Sequence, residues 1–106
     1  MKQKYNLWQL RKKIVGFRLT GHSGMDDHGK DVLCAFVSSA AYMTANTVTD
    51  VICAEAQASA DDGYMYVRVS DSYADRCRDI LEGFRLHLVN IQEQYPEYLK
   101  VMITEV

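Results

Sequence analysis

Proline is almost absent from this sequence, with Pro96 alone among 106 residues, and glycine is sparse at six. This excludes collagen-like and proline-rich chains, in which those residues dominate. Cysteine is scarce and odd in number: Cys34, Cys53 and Cys77 stand far apart, with no CxxC pair. Three widely spaced thiols make no disulfide framework and point to a reducing compartment. No apolar run is long enough to span a bilayer. The basic N-terminal residues Lys2 and Lys4 are followed by no continuous apolar stretch with a small-residue cleavage site. A cytoplasmic protein with no membrane partner is expected. Excess positive charge is also missing, since 12 Lys and Arg face 14 Asp and Glu for a net charge of −2. A generic nucleic-acid binder carries a basic stripe, so no direct nucleic-acid binding is expected, and a charged partner would be a basic one. No repeat, linker or low-complexity tract divides the chain, so residues 1–106 read as one domain.

The apolar residues that are present fall into alternating and helical patterns. Residues 3–10 and 13–21 read as a β-hairpin across the polar connector Arg11-Lys12-Lys13, with Val15, Phe17 and Leu19 on one face, and Trp8 and Leu10 sharing a face with each other. Residues 30–49 read as a helix. Leu33, Val37, Ala40, Ala41, Thr44 and Val48 recur at three- and four-residue steps, while Phe36 and Met43 carry apolar character to other sides. Such a helix is expected to be covered by the sheet and by a second subunit. Residues 51–60 return to an extended pattern, Asp61-Asp62-Gly63 is a hairpin-turn signal, and 64–70 form the partner strand.

Ser72 and Asp75 resemble a capping box before a second helix, whose stripe runs Tyr73, Cys77, Ile80, Leu81, Phe84, Leu88, Ile91 and Tyr95. The residue before Pro96 is biased away from helix, so this helix should end near Gln94. Residues 98–106 close the chain as a strand. The order ββαββαβ predicts a two-layer α+β fold, a mainly antiparallel sheet with two helices packed on it.

Chemistry concentrates in one stretch. Gly21-His22-Ser23-Gly24 ends the second strand, and Gly29-Lys30-Asp31-Val32-Leu33-Cys34-Ala35-Phe36-Val37-Ser38 opens the first helix. A thiol nucleophile needs a base within hydrogen-bond reach, and a helix N-terminus favours its thiolate. With Asp31 as N-cap, Cys34 would be the third helical residue, near free N–H groups able to receive an oxyanion. Asp31, Cys34 and Ser38 share one helix face by their spacing. Asp31 serves either as that cap or as the group that holds an imidazolium at His22. Ser38 alternatively bonds back to the carbonyl four residues earlier. The polar segment Ser23, Gly24, Met25, Asp26, Asp27, His28 and Gly29 suits a lid that orders on substrate, or a plain surface loop. A metal site from His22, His28, Cys34 and Asp26 or Asp27 has the spacing H-x5-H-x5-C, which matches no common zinc pattern, so no metal and no cofactor are expected. Cys53 in a strand and Cys77 on the helix stripe read as core thiols, and His87 as a surface residue.

The paired motif, a GH(A/S)G followed by G-x-D-(I/V)-(V/L)-C-A-x-V-S, resembles the signature of the bacterial ribosomal-processing cysteine proteases, the Prp family. The likeness extends over essentially the whole chain in length and element order. Ser23 stands where an alanine is common, and Phe36 where a small residue is common. The resemblance implies a small homodimer with Cys34 as nucleophile and His22 as base, and Asp31 and Ser38 at positions associated with activity. Its implied partner is the N-terminal segment of a large-subunit ribosomal protein precursor, whose short extension is removed ahead of a basic segment. Asp26 and Asp27 beside the site suit such a peptide. A non-catalytic ribosome-associated module binding a peptide along a sheet edge is the alternative, and a redox-sensing thiol is a third reading.

Overall fold

The computed structural model describes residues 3–21, 28–61 and 63–106, with residues 28–32 and 34 described as backbone alone. Strands β1 (Gln3–Leu10) and β2 (Lys13–Thr20) are followed by helix α1 (His28–Asn46), strands β3 (Ala56–Asp61) and β4 (Tyr64–Val69), helix α2 (Arg78–Gln94) and strand β5 (Leu99–Glu105). The sheet order is β3-β4-β2-β1-β5. Every pairing is antiparallel except β1 with β5, which the crossover through α2 makes parallel. The two-layer α+β architecture with a mainly antiparallel sheet is thus present.

Alternation decides which strand face is covered. Tyr5, Leu7, Phe17, Leu19, Met65 and Val67 are all buried, and they meet Val37 and Ala41 from α1, Val48 just beyond its end, and Leu81, Phe84 and Leu88 from α2. Phe84 is the centre of this contact, with its ring 4.7 Å from Phe17 and 5.8 Å, edge-on, from Tyr5. Ile14 and Val15 are both fully buried although they are sequence neighbours. A register shift between Trp8 and Gln9 in the partner strand lets both turn inward. The β1–β2 turn places Arg11 and Lys12 at φ 51° and 68° without the glycine or asparagine such a turn normally uses.

The structure corrects the sequence reading between α1 and β3 and before α2. The chain between α1 and β3 does not become extended at Val51. It continues as a π-helical turn, Thr47–Val51, and β3 starts only at Ala56. β-branched Val51 and Ile52 suggest the start of a strand, but Thr47 and Thr49 hydroxyls bond the carbonyls of Met43 and Ala45 and Val48 is buried in the core, so tertiary context carries the helical turn through Val51. Cys53 is accordingly no core thiol: it is exposed, outside any strand, at φ 57°. Finally, Ser72 and Asp75 form no capping box. Asp71–Tyr73 is a short 3-10 turn, α2 begins after Cys77 without a side-chain cap, Ser72 pairs with Ser70, and Asp75 pairs with Lys13. The Lys13 ammonium beside Asp75 holds that carboxyl below its usual range.

Other expectations hold. Cys77 is buried, and burial pushes its thiol up. Helix α2 ends at Gln94, before the proline. Tyr95, expected on the apolar stripe, is instead exposed just past that end. On α1 only one side meets the sheet, and Phe36, Tyr42 and Met43 stand 61%, 49% and 54% exposed.

Candidate active site

Strand β2 leaves the sheet through Gly21, whose φ of 116° strains any residue with a Cβ. The Gly21 N–H donates to the Gly63 carbonyl at 3.1 Å, fixing the departure point. His22, the expected base, follows directly; it and Ser23, Gly24, Met25, Asp26 and Asp27 lie outside the described residues.

The same end of the sheet holds the start of β1. Lys4 pairs with Thr20, so Gln3 stands level with the point where β2 ends. Gln3 is only 4% exposed, a buried amide at a strand terminus. Its Nε2 donates to the Ser38 Oγ on α1 at 2.9 Å, and its backbone N–H donates to the Tyr98 carbonyl. Ser38 therefore bonds across to the sheet. Because Cα–Cβ bonds tilt toward a helix N-terminus, the Ser38 side chain leans toward the turn that carries Cys34. Ser38 is thereby held at the sheet end from which the chain runs into His22, while the side chains of Asp31 and Cys34 lie outside what the structure describes.

The helix start differs from the sequence reading. Helix α1 begins at His28, so His28 and Gly29 belong to its first turn rather than to the preceding loop. Asp31 is the fourth helical residue and no N-cap, and Cys34 is the seventh. The unpaired N–H groups of a helix belong to its first four residues, so those of α1 lie one to two turns before Cys34. Dipole and first-turn amides thus bear on the thiol less than an N-cap at Asp31 would imply.

Two open hollows among the described residues, of about 440 Å³ beside Pro96 and Leu99 and about 350 Å³ beside Ala56 and Asp71, are not lined by Ser38. No group of His, Cys, Asp or Glu among the described residues could hold a metal. No helix among them is long and apolar enough to cross a membrane. The residue that sequence reasoning missed is Gln3. Its only signal was a polar side chain on the inward row of β1, alternating with Tyr5 and Leu7.

The profile of the cysteine protease Prp family matches residues 4–100. The chain belongs to that family. Its members include the ribosomal processing cysteine protease Prp of Bacillus subtilis, 29% identical over 96 residues that cover 85% of this chain and 86% of that one. The protein of the same name from Staphylococcus aureus strain Mu50 is 24% identical over 91 residues, 84% and 86% of the two chains. Among solved structures, a Streptococcus mutans protein superposes with a TM-score of 0.86 at 21% identity over the full length of both chains. The Staphylococcus aureus Prp in complex with a substrate peptide gives 0.84 at 20% identity, over 96% of this chain and 99% of that one. At these identities the structural likeness speaks for the fold. The Prp family match makes this chain a cysteine protease, a peptide-bond hydrolase.

Replacing Gln3 with leucine strands the half-buried Ser38 hydroxyl and should cost about 1–3 kcal/mol of stability. Peptide cleavage should fall as well, below the melting transition. Thermal unfolding and a cleavage assay check both, and unchanged values in both would remove Gln3 from the site.

Proposed function

We propose that this protein removes the N-terminal extension of a large-subunit ribosomal protein precursor, with Cys34 as nucleophile and His22 as general base. The observation that carries the reading is the meeting, at one sheet end, of the β2 terminus leading into His22 and the Ser38 row of α1 anchored by Gln3. His22 takes the proton of the Cys34 thiol, and the sulfur attacks the scissile carbonyl carbon. His22 then returns the proton to the leaving amine, releasing it and leaving a thioester. Water, deprotonated by His22, displaces the thiol and completes hydrolysis of the removed extension. Asp31 orients the imidazolium, and Ser38 supplies a hydroxyl one turn beyond Cys34. The carboxylates Asp26 and Asp27 between His22 and His28 favour a substrate that is basic past the cleavage point. Mass spectrometry of the precursor after incubation with the protein tests this. One new N-terminus just ahead of the basic segment is the expected product, and an intact precursor would refute the assignment.

The same reading includes a homodimer in the cytoplasm. Phe36 and Met43 lie seven residues apart on α1, one outward face, and Phe36 is 6.2 Å from the His87 ring of α2. With Leu86 at 55% exposure nearby on α2, this face has the apolar character of an interface core. Replacing Phe36 and Met43 with glutamate should convert a dimer to a monomer in sedimentation. A wild-type chain that sediments as a monomer at all concentrations would exclude this.

A further inference from the structure

We propose that the helix-free face of the sheet binds single-stranded nucleic acid, through the cations Lys4, Lys100, Arg18 and Arg68 and the aromatic pair Trp8 and Tyr66. Both helices pack on the opposite face, so among the described residues nothing covers the outward rows of the five strands. The register assigns these residues to one surface: Trp8 is level with Gly16 and Gly16 with Arg68, while Asn6 is level with Arg18 and Arg18 with Tyr66.

Charge on this surface opposes that of the chain. The whole sequence has more acids than bases, 14 against 12, yet these rows hold four cations and, among the described residues, one carboxylate, Asp61 at the far end of β3. Lys4 and Lys100 are direct cross-strand partners, and both are exposed. Like charges facing each other across a ladder destabilise a sheet, and an anion between them reverses that cost. Arg18, exposed on the neighbouring strand, extends the cluster, whereas Arg68 gives part of its fork to Asp71 at 3.3 Å.

Beside the cations lies a pair of tilted aromatic rings, their planes 57° apart. The Trp8 and Tyr66 rings are 4.9 Å apart and both half-buried, and Gly16 between them leaves room because a Cβ there would lie 3.1 Å from the Trp8 ring. Phosphates on a lysine and arginine track with bases on an adjoining aromatic platform are the general chemistry of single-strand recognition on open sheets. A basic peptide is repelled by the same cations, so this surface is distinct from the one that takes the protease substrate.

Trp8 is the only tryptophan, so its fluorescence reports directly on the platform. Oligouridylate and oligothymidylate of about twelve nucleotides should each quench it. Affinity should fall between about 50 and 200 mM salt with a log–log slope near −3, the value for four phosphate contacts on a single strand. Lys4→Gln with Lys100→Gln should weaken binding about tenfold and reduce the slope by about 1.4 while leaving peptide cleavage intact. Quenching by RNA alone would still support the site and add a ribose contact. The proposal is overturned if neither oligonucleotide quenches Trp8, if poly-glutamate quenches it equally and so marks an acidic protein as the partner, or if the double variant binds like the wild type.

Discussion

Cys34→Ala is expected to abolish cleavage of the ribosomal precursor, with a loss on the order of 10⁴-fold or more, because the thioester cannot form without the sulfur. His22→Ala should be nearly as severe, and the double variant little worse than either, since nucleophile and base act as one unit. Cys34→Ser keeps the shape but replaces a readily ionised thiol by a hydroxyl, so it too should be inactive. The other thiols serve as internal controls. Cys77 is buried with its thiol pushed up and should resist iodoacetamide, while exposed Cys53 should label at an ordinary rate. Full cleavage by Cys34→Ala would end the Cys34 mechanism and favour a peptide-binding module.

Gly16→Ala is expected to have the largest effect on stability. Its new Cβ would lie 2.2 Å from the Val67 carbonyl oxygen and 2.9 Å from the Arg68 Cα, both backbone atoms of the neighbouring strand. A flexible side chain could move aside, but β4 cannot without breaking its ladder to β2 in the middle of the sheet. Overpacking of this kind costs about 3 kcal/mol, here with no route to relax. In a domain of this size that lowers the melting temperature by more than about 10 °C. A melting temperature within about 2 °C of wild type would show that the strands separate more easily than the register implies. Gly83 is the matched control: a Cβ added there would meet nothing within 4 Å, so its alanine variant should be tolerated.

Much of this was legible beforehand because strands and helices have periods that apolar residues must follow if they are to be buried. Val15, Phe17 and Leu19 alternate, and all three are buried; Leu81, Phe84, Leu88 and Ile91 step by three and four, and they form the core face of α2. Pro96 marked the end of α2 through a steric clash that needs no tertiary partner. Propensity failed where long-range contacts outweighed it. Val51 and Ile52 are β-branched and read as the start of a strand, yet the burial of Val48 and the threonine bonds to earlier carbonyls carry the helical turn through Val51, and this moved Cys53 from core to surface. Of the two roles the sequence leaves open to Asp31, helix cap and orienter of an imidazolium at His22, the cap is removed because α1 starts three residues earlier.

The pairing of a GHSG segment with the Asp31, Cys34, Ser38 row is a property of the sequence alone: residue types and helical spacing suffice for it. Periodicity likewise determined the layers. Only the tertiary structure decided that β5 lies parallel beside β1, that Gln3 reaches Ser38, and that Lys4 is the cross-strand partner of Lys100. Residues 3 and 38, or 4 and 100, interact through strand register and helix packing, and no local pattern in the chain encodes the distance between them.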